Sequence, residues 1–192
     1  MWLCSGYGKA NRIIEGFTGC FLHLLFVLVH FSSSRNRRKT TYQELDRALE
    51  EFQKTKEMDS NFYWAHLGLG RVYVAKKMYS DAISSFERAT ELSGSNSMVL
   101  SELGHAYAVA GRQRDANRIL AKLKESSGQR YISAYDIGLV YVGLGQQEAA
   151  MNWFERAYQE HCRSLQFSRV EPRLDPLRSN ARFQELLRRL NL

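Results

Sequence analysis

The sequence contains few prolines and few cysteines, and it lacks a recognisable set of catalytic residues. Only two prolines occur among its 192 residues, and proline is the residue that a helix interior tolerates least. The three cysteines, Cys4, Cys20 and Cys162, are odd in number and lie in unrelated contexts, which excludes a disulfide framework and favours a reducing compartment. With 44% hydrophobic residues and no low-complexity tract, the composition suits one elongated helical domain with tails.

Signatures of enzymes and of metal sites are also missing. Gly68-x-Gly70 and Gly143-x-Gly145 lack the third glycine, the strand and the acidic partner of a dinucleotide-binding loop. No spacing among the histidines and cysteines matches a zinc site. We therefore predict no catalytic residues, no metal, no cofactor and a protein that is not an enzyme.

The charge is unevenly distributed along the chain. The net charge is +7, but the basic excess lies at the two ends, and the segment between them is nearly neutral. A nucleic-acid-binding domain concentrates its basic residues on the folded surface. We therefore expect no nucleic-acid partner.

One pattern occurs three times at a constant spacing between Tyr63 and Ser164. An aliphatic residue and a glycine precede a tyrosine, and a second half follows with an alanine and a large apolar residue. These are Leu69, Gly70, Tyr73, Ala82 and Phe86, then Leu103, Gly104, Tyr107, Ala116 and Leu120, then Ile137, Gly138, Tyr141, Ala150 and Phe154. Every member of the pattern recurs after the same number of residues, which is the spacing between Leu69 and Leu103. Such a period predicts a stack of repeated units instead of one globular core.

This pattern resembles the tetratricopeptide repeat, whose signature is a tryptophan-like residue, Leu-Gly, Tyr, Ala, Phe and Ala, with a closing proline. The resemblance covers residues 63–96, 97–130 and 131–164. It implies an all-α fold, a right-handed superhelical solenoid of antiparallel helix pairs with a C-terminal capping helix. Two positions depart from the signature, the tryptophan and the proline, which the family varies most freely. They hold His66, Leu100 and Ala134, and Gly94, Arg130 and Cys162.

The repeated residues also predict how the helices pack. Glycine inside a helix costs about 1 kcal/mol against alanine, so Gly70 and its equivalents need a packing reason. We expect Ala82 and its equivalents to face them and to let the two helices of a pair approach closely. We expect the tyrosines to fill the wedge between one unit and the next. Gly111 and Gly145 follow the first helices of units two and three and predict their ends.

The flanking segments are less regular. Residues 1–39 contain the apolar run Phe17 to Phe31, which as a helix would span roughly 22 Å against a hydrocarbon core of about 30 Å. It is a candidate membrane anchor, which would leave the repeats in the cytoplasm, or the remnant of a truncated upstream region, or a peripheral helix. A signal peptide also fits the run, but the basic cluster that follows it argues against export. Residues 40–62 predict a partial repeat of which only the second helix is present, starting with a capping box at Thr41 and ending near Met58.

The tail, residues 165–192, predicts an irregular connection and a capping helix. Asn180 is a good N-cap for a helix from Ala181 to Leu190, whose apolar residues all face one way. The tail also resembles the segment that closes the C-terminal repeat modules of bacterial multidomain regulators. That resemblance implies a context and not an activity.

The family resemblance places a partner-binding groove on the first helix of each unit. Carried over residue by residue, the groove positions are Trp64, Leu67, Arg71, Val74 and Ala75 in the first unit; Met98, Ser101, His105, Ala108 and Val109 in the second; and Ile132, Tyr135, Leu139, Val142 and Gly143 in the third. The set is mainly apolar and lacks the lysines and asparagines that grip acidic chaperone tails in this family. It suits an amphipathic helix or an extended apolar peptide.

Three hypotheses for function follow. The first is a cytoplasmic, non-enzymatic scaffold that binds a peptide or protein partner in the groove. The second is a regulatory or sensory module separated from an upstream effector, such as a DNA-binding or kinase domain. The third is a membrane-tethered assembly protein, which requires that Phe17 to Phe31 insert.

Overall fold

The structure, a computed structural model, describes residues 37–127 and 131–192, and within these ranges it is all-α. Helices occupy most of the described chain and form a helical solenoid in which consecutive helices contact each other. They are α1 (Arg37–Met58), α2 (Tyr63–Ala75), α3 (Tyr79–Leu92), α4 (Ser97–Val109), α5 (Gln113–Ser126), α6 (Ala134–Gly143), α7 (Gln147–Gln159) and α8 (Ala181–Arg189). Two short 3₁₀ helices, Arg163–Phe167 and Pro172–Leu177, lie between α7 and α8.

The first helix is longer than its sequence predicted. It ends at Met58 as expected, but it begins at Arg37, so Thr41 lies inside the helix and not at its N-cap. Leu45, Ala48 and Phe52 bury one face of α1 against α2. The predicted run from Phe17 to Phe31 lies outside the described residues. Within residues 37–127 and 131–192, no helix is long and apolar enough to cross a membrane.

Three pairs of helices repeat along the chain: α2 with α3, α4 with α5, and α6 with α7. Their buried residues form successive clusters along the stack, and each cluster takes side chains from neighbouring pairs. The pairs are not joined alike. The first helix of the middle pair, α4, packs along α6, the first helix of the next pair. Towards the preceding pair, α4 packs mainly on the second helix, α3, and touches the first helix, α2, at few positions.

The glycines inside the helices have a packing reason, but not the predicted one. A Cβ on Gly70 would lie 2.4 Å from the ring of Phe86, and a Cβ on Gly138 would lie 2.6 Å from the ring of Phe154. The residue that faces the glycine is therefore the phenylalanine, not Ala82 or Ala150. Both alanines are completely buried nearby. In the middle pair, where Leu120 replaces the phenylalanine, a Cβ on Gly104 would meet aliphatic side chains of α5 and α6 at 3.0 Å or more.

The repeated tyrosines lie at the junctions between pairs, each against the unit before it. Tyr107 of α4 donates a 2.7 Å hydrogen bond to Glu87 of α3, and the hydroxyl oxygen of Tyr141 of α6 accepts one of 2.5 Å from Lys124 of α5. Tyr107 and Tyr141 therefore each tie the first helix of their unit to the second helix of the preceding one. The aliphatic residues that precede the glycines of the motif are also buried, as is Ala116; they are Leu69, Leu103 and Ile137.

The helix ends follow the sequence closely. Gly111 and Gly145 have φ of +78° and +73°, and each follows the C-cap of its helix, as predicted. Glycine adopts this left-handed conformation without steric cost. At the last helix, the side chain of Asn180 accepts hydrogen bonds from the backbone N–H groups of Arg182 and Phe183 at 2.9 and 3.3 Å. Asn180 is thus the N-cap that the sequence predicted.

The tail folds back onto the last pair. Leu165, Leu174 and Leu177 of the 3₁₀ helices and Phe183 of α8 are completely or almost completely buried, in the same apolar cluster as α6 and α7. Two ion pairs join α8 to α7, Arg182 with Glu148 and Arg189 with Glu155, and each spans 34 residues of chain, one period of the repeat. The segment between α7 and α8 is therefore part of the packed array and not a loose connection.

Candidate functional site

The groove face of the array is formed by α2, α4 and α6, the first helices of the three pairs. Its predicted residues differ widely in exposure. Trp64, Val74, Met98 and Val109 are half-buried, Gly143 is partly exposed and Ala75 is exposed; Leu67, Ser101, His105, Ala108, Ile132, Tyr135, Leu139 and Val142 are buried. Accessible side chains therefore concentrate on α2 and on the two ends of α4.

The part of the groove face on α6 is covered by the protein's own tail. The 3₁₀ helix Pro172–Leu177 packs on α6. Its Leu174 and Leu177 share an apolar cluster with Tyr135 and Leu139, which are 5% and 2% exposed. No partner can contact these two α6 side chains while the tail holds this position.

Arg173 extends the tail's contact beyond α6 to α4. Its guanidinium donates to Glu102 of α4 at 2.6 Å and to both carboxylate oxygens of its neighbour Glu171 at 2.9 and 2.8 Å. Arg71 of α2 approaches Glu102 from the other side and donates to it at 3.0 and 2.7 Å. Glu102 thus accepts hydrogen bonds from two arginines that lie far apart in the chain.

This charged cluster is buried, so its pairing matters energetically. The side chains of Glu102, Glu171 and Arg173 are 5%, 10% and 17% exposed, and that of Arg71 is 26% exposed. Removing one partner from a buried ion pair costs about 3–5 kcal/mol, because the other charge is left uncompensated. The cluster therefore holds α2, α4 and the tail in one arrangement.

The arginines determine which of these groups stay charged. Burial by itself would raise the pKa of Glu171, but Arg173 outweighs it and lowers that pKa to about 2. The pKa of Glu102 is also lowered, since Arg173 and Arg71 together outweigh the effect of burial. Both carboxylates are therefore ionised at neutral pH.

His105 of α4 is a buried neutral group. Burial, with a further contribution from Arg173, lowers its pKa to about 4. Its Nδ1 atom lies 3.1 Å from the backbone oxygen of Leu139, and a Cβ on Gly143 would lie 2.8 Å from the same nitrogen. His105 thus belongs to the close contact between α4 and α6.

Asp136 of α6 is the remaining acidic group of this region. The residue is 8% exposed, and burial followed by the charge of Glu102 raises its pKa to about 7. Arg173 and Arg71 lower that pKa only in part. An aspartate whose pKa is raised this far is costly to ionise.

The sequence prediction identified Arg71 and His105 as the polar groups of the groove but missed Glu102, Asp136, Glu171 and Arg173. A signal for Arg173 was available, because it lies one repeat period after Leu139 and so continues the series of Arg71, His105 and Leu139. In the described part of the chain, no group of three or more histidine, cysteine or carboxylate side chains could hold a metal ion.

The fold and this groove face define a helical repeat protein. The family model for the tetratricopeptide repeat matches residues 65–96 and 132–159, which contain most of α2, all of α3, and all of α6 and α7. Together with the helical architecture, these matches show that the chain contains tetratricopeptide repeats. No curated protein matches the chain. Tetratricopeptide repeats generally mediate protein–protein interactions, and the proteins that contain them are typically non-catalytic.

Proposed function

We propose that this protein is a non-enzymatic interaction scaffold that binds an extended peptide, or a segment of a partner protein, in its groove. The binding surface is the face of α2 together with the adjoining part of α4. The observation that supports this proposal is the difference in exposure along the groove face. The tail covers α6, while Trp64, Val74 and Met98 keep part of their apolar surface in water.

The chemistry of this surface favours a peptide ligand. Trp64 packs against Tyr63, with ring centroids 5.0 Å apart, and tryptophan is among the side chains most enriched at positions that dominate binding energy. Arg71 on the same helix is one-quarter exposed, and its Nε and Nη2 atoms already donate to Glu102. An apolar anchor beside a paired charge suits a short apolar segment of a peptide.

Peptide display against the full chain tests this proposal. Peptides selected from a random library are measured by fluorescence anisotropy with the wild-type protein, with Trp64→Ala and with Trp153→Ala. Trp153 is the matched control, because it is also half-buried but lies on α7, a second helix of a pair. We expect Trp64→Ala to weaken binding by about tenfold or more and Trp153→Ala to leave it unchanged. Equal binding by all three proteins would refute the proposal.

The two alternative hypotheses, an effector-linked regulatory module and a membrane-tethered assembly protein, stay predictions. Both rest on residues before Arg37, which lie outside the described chain. Within the described chain, no observation favours either over the scaffold.

A further inference from the structure

Asp136 is a buried acid for which the described chain supplies no direct partner. Among the described residues, no side chain or backbone group donates a hydrogen bond to its carboxylate or forms an ion pair with it, although the residue is only 8% exposed. Buried charged groups in folded proteins are normally paired, because an unpaired one loses its hydration without compensation. Asp136, on the same helix as the groove residues Tyr135 and Leu139, is therefore an almost buried carboxylate that meets no donor of the described chain and keeps only a small contact with solvent.

The repeat shows which partner is missing. Asp136 lies one repeat period after Glu102 and therefore occupies the equivalent place on the next first helix. Glu102 pairs with Arg71, which lies 31 residues before it. The residue at the same distance before Asp136 is His105, whose ring contacts the backbone oxygen of Leu139 instead.

The nearby arginines are already engaged. Arg71 directs its Nε and Nη2 atoms at Glu102. Arg173 directs its Nη1 atom at Glu102 and its Nε and Nη2 atoms at Glu171. These two cations balance two carboxylates, so within the described residues the ionised Asp136 is one negative charge in excess in this part of the groove face.

We propose that Asp136 forms a subsite for a cationic side chain, an arginine or a lysine, of the peptide that the groove binds. This inference rests on the proposed function and adds the charge of one ligand side chain to it. The protein contains a precedent for the contact. Arg173, carried by a short non-α-helical segment and followed by the buried Leu174, satisfies Glu102, the equivalent acid of the preceding unit.

Asp136 keeps a small exposed fraction, 8% of the residue. A ligand cation at this position would meet the charge of Glu102 on α4, together with those of Arg71 and Arg173.

The test repeats the peptide selection with three forms of the full chain: wild type, Asp136→Asn and Asp115→Asn. Asp115 is the matched control, because it lies on α5, a second helix, and is paired with Arg112 and Arg118. We expect arginine or lysine to be enriched at one fixed position in the peptides selected by the wild type and by Asp115→Asn. We expect no such enrichment with Asp136→Asn.

A second measurement uses one selected peptide and its analogue in which citrulline replaces the enriched arginine. Citrulline has almost the same shape as arginine but no charge. We expect the wild type to bind the analogue about thirtyfold more weakly or worse, as for loss of one partner of a buried charge pair, and Asp136→Asn to bind both peptides alike.

The outcomes separate this inference from the proposed function. Peptides that depend on Trp64 but show no preferred cation, or that keep the preference with Asp136→Asn, would refute the subsite and leave the scaffold proposal standing. A selection that yields no peptide dependent on Trp64 would refute both. Folding does not confuse the result, because Asp136→Asn removes an unpaired charge and is expected to fold at least as well as the wild type.

Discussion

Replacing Asp136 by asparagine should stabilise the protein, and the gain should grow with pH. The folded environment raises the pKa of this carboxyl from 3.8 to about 7. Between these two values the folded state keeps a proton on Asp136 that the unfolded state has lost. The unfolded state therefore binds fewer protons, and the free energy of unfolding falls as the pH rises through this window.

The size of the effect follows from the shift in pKa. Each pH unit between the folded and unfolded pKa values is worth about 1.4 kcal/mol, so complete ionisation of Asp136 costs about 4 kcal/mol at most. Asparagine does not titrate and carries no such cost. We expect the difference in stability between Asp136→Asn and the wild type to increase by about 2 to 4 kcal/mol between pH 4 and pH 8.

Urea unfolding of both proteins at a series of pH values measures this difference directly. His105, whose folded pKa of about 4 lies below its ordinary 6.5, makes both proteins more stable as the pH rises from about 4 to 6.5, and this common contribution cancels in the difference. Asp115→Asn controls for the loss of one acidic group at a site where the carboxylate is paired. A difference between Asp136→Asn and the wild type that stays constant from pH 4 to pH 8 would show that Asp136 is not a buried, unpaired carboxylate.

Three further substitutions test the packing. Arg173→Ala should lower the free energy of unfolding in urea by about 3–5 kcal/mol, since it strands two buried carboxylates, whereas the exposed Arg118→Ala should cost less than about 1 kcal/mol; similar losses would count against the buried cluster. Gly70→Ala should cost about 1–3 kcal/mol by crowding the ring of Phe86, and Phe86→Leu in the same chain should recover part of that loss in a double-mutant cycle; strict additivity would contradict the contact. Leu103→Asp places a charge at a buried position between units and should lower the midpoint of thermal unfolding of the whole array, so an unchanged midpoint would show that the repeat interpretation is wrong.

The sequence predicted the features that depend on a fixed period. Three copies of one motif indicated the helix pairs, and Gly111 and Gly145 indicated where two first helices end. Such features are local, since a helix end or an apolar face depends on residues within a few turns. The residue that faces Gly70 was predicted incorrectly because it depends on how two helices cross, which is not a local property. The crossing brings Phe86, and not Ala82, onto the glycine.

The sequence could not show that the tail covers α6. The segment from Arg163 to Leu177 has no helical periodicity long enough to indicate a face, and its two 3₁₀ helices obtain their stability from the apolar cluster into which they fold. The contact between Arg173 and Glu102 joins residues 71 positions apart. Long-range ion pairs of this kind depend on the complete fold, so periodicity alone gave no reason to expect them.

One position of the repeat on the groove face explains why the tail supplies an arginine to Glu102 while Asp136 has no direct partner among the described residues. At successive periods of the repeat this position holds Arg71, His105, Leu139 and Arg173. A regular repeat would hold a basic residue at this position in every unit, and each base would pair with one acid on the following helix. Here the two middle residues of the series, His105 and Leu139, are neutral. The tail restores a base at the fourth step, and its arginine reaches Glu102, which Arg71 already contacts. The two arginines are thus engaged by Glu102 and Glu171. Asp136, the next acid in the series, has no direct partner among the described residues, and this is where we propose that a cation of a bound partner pairs.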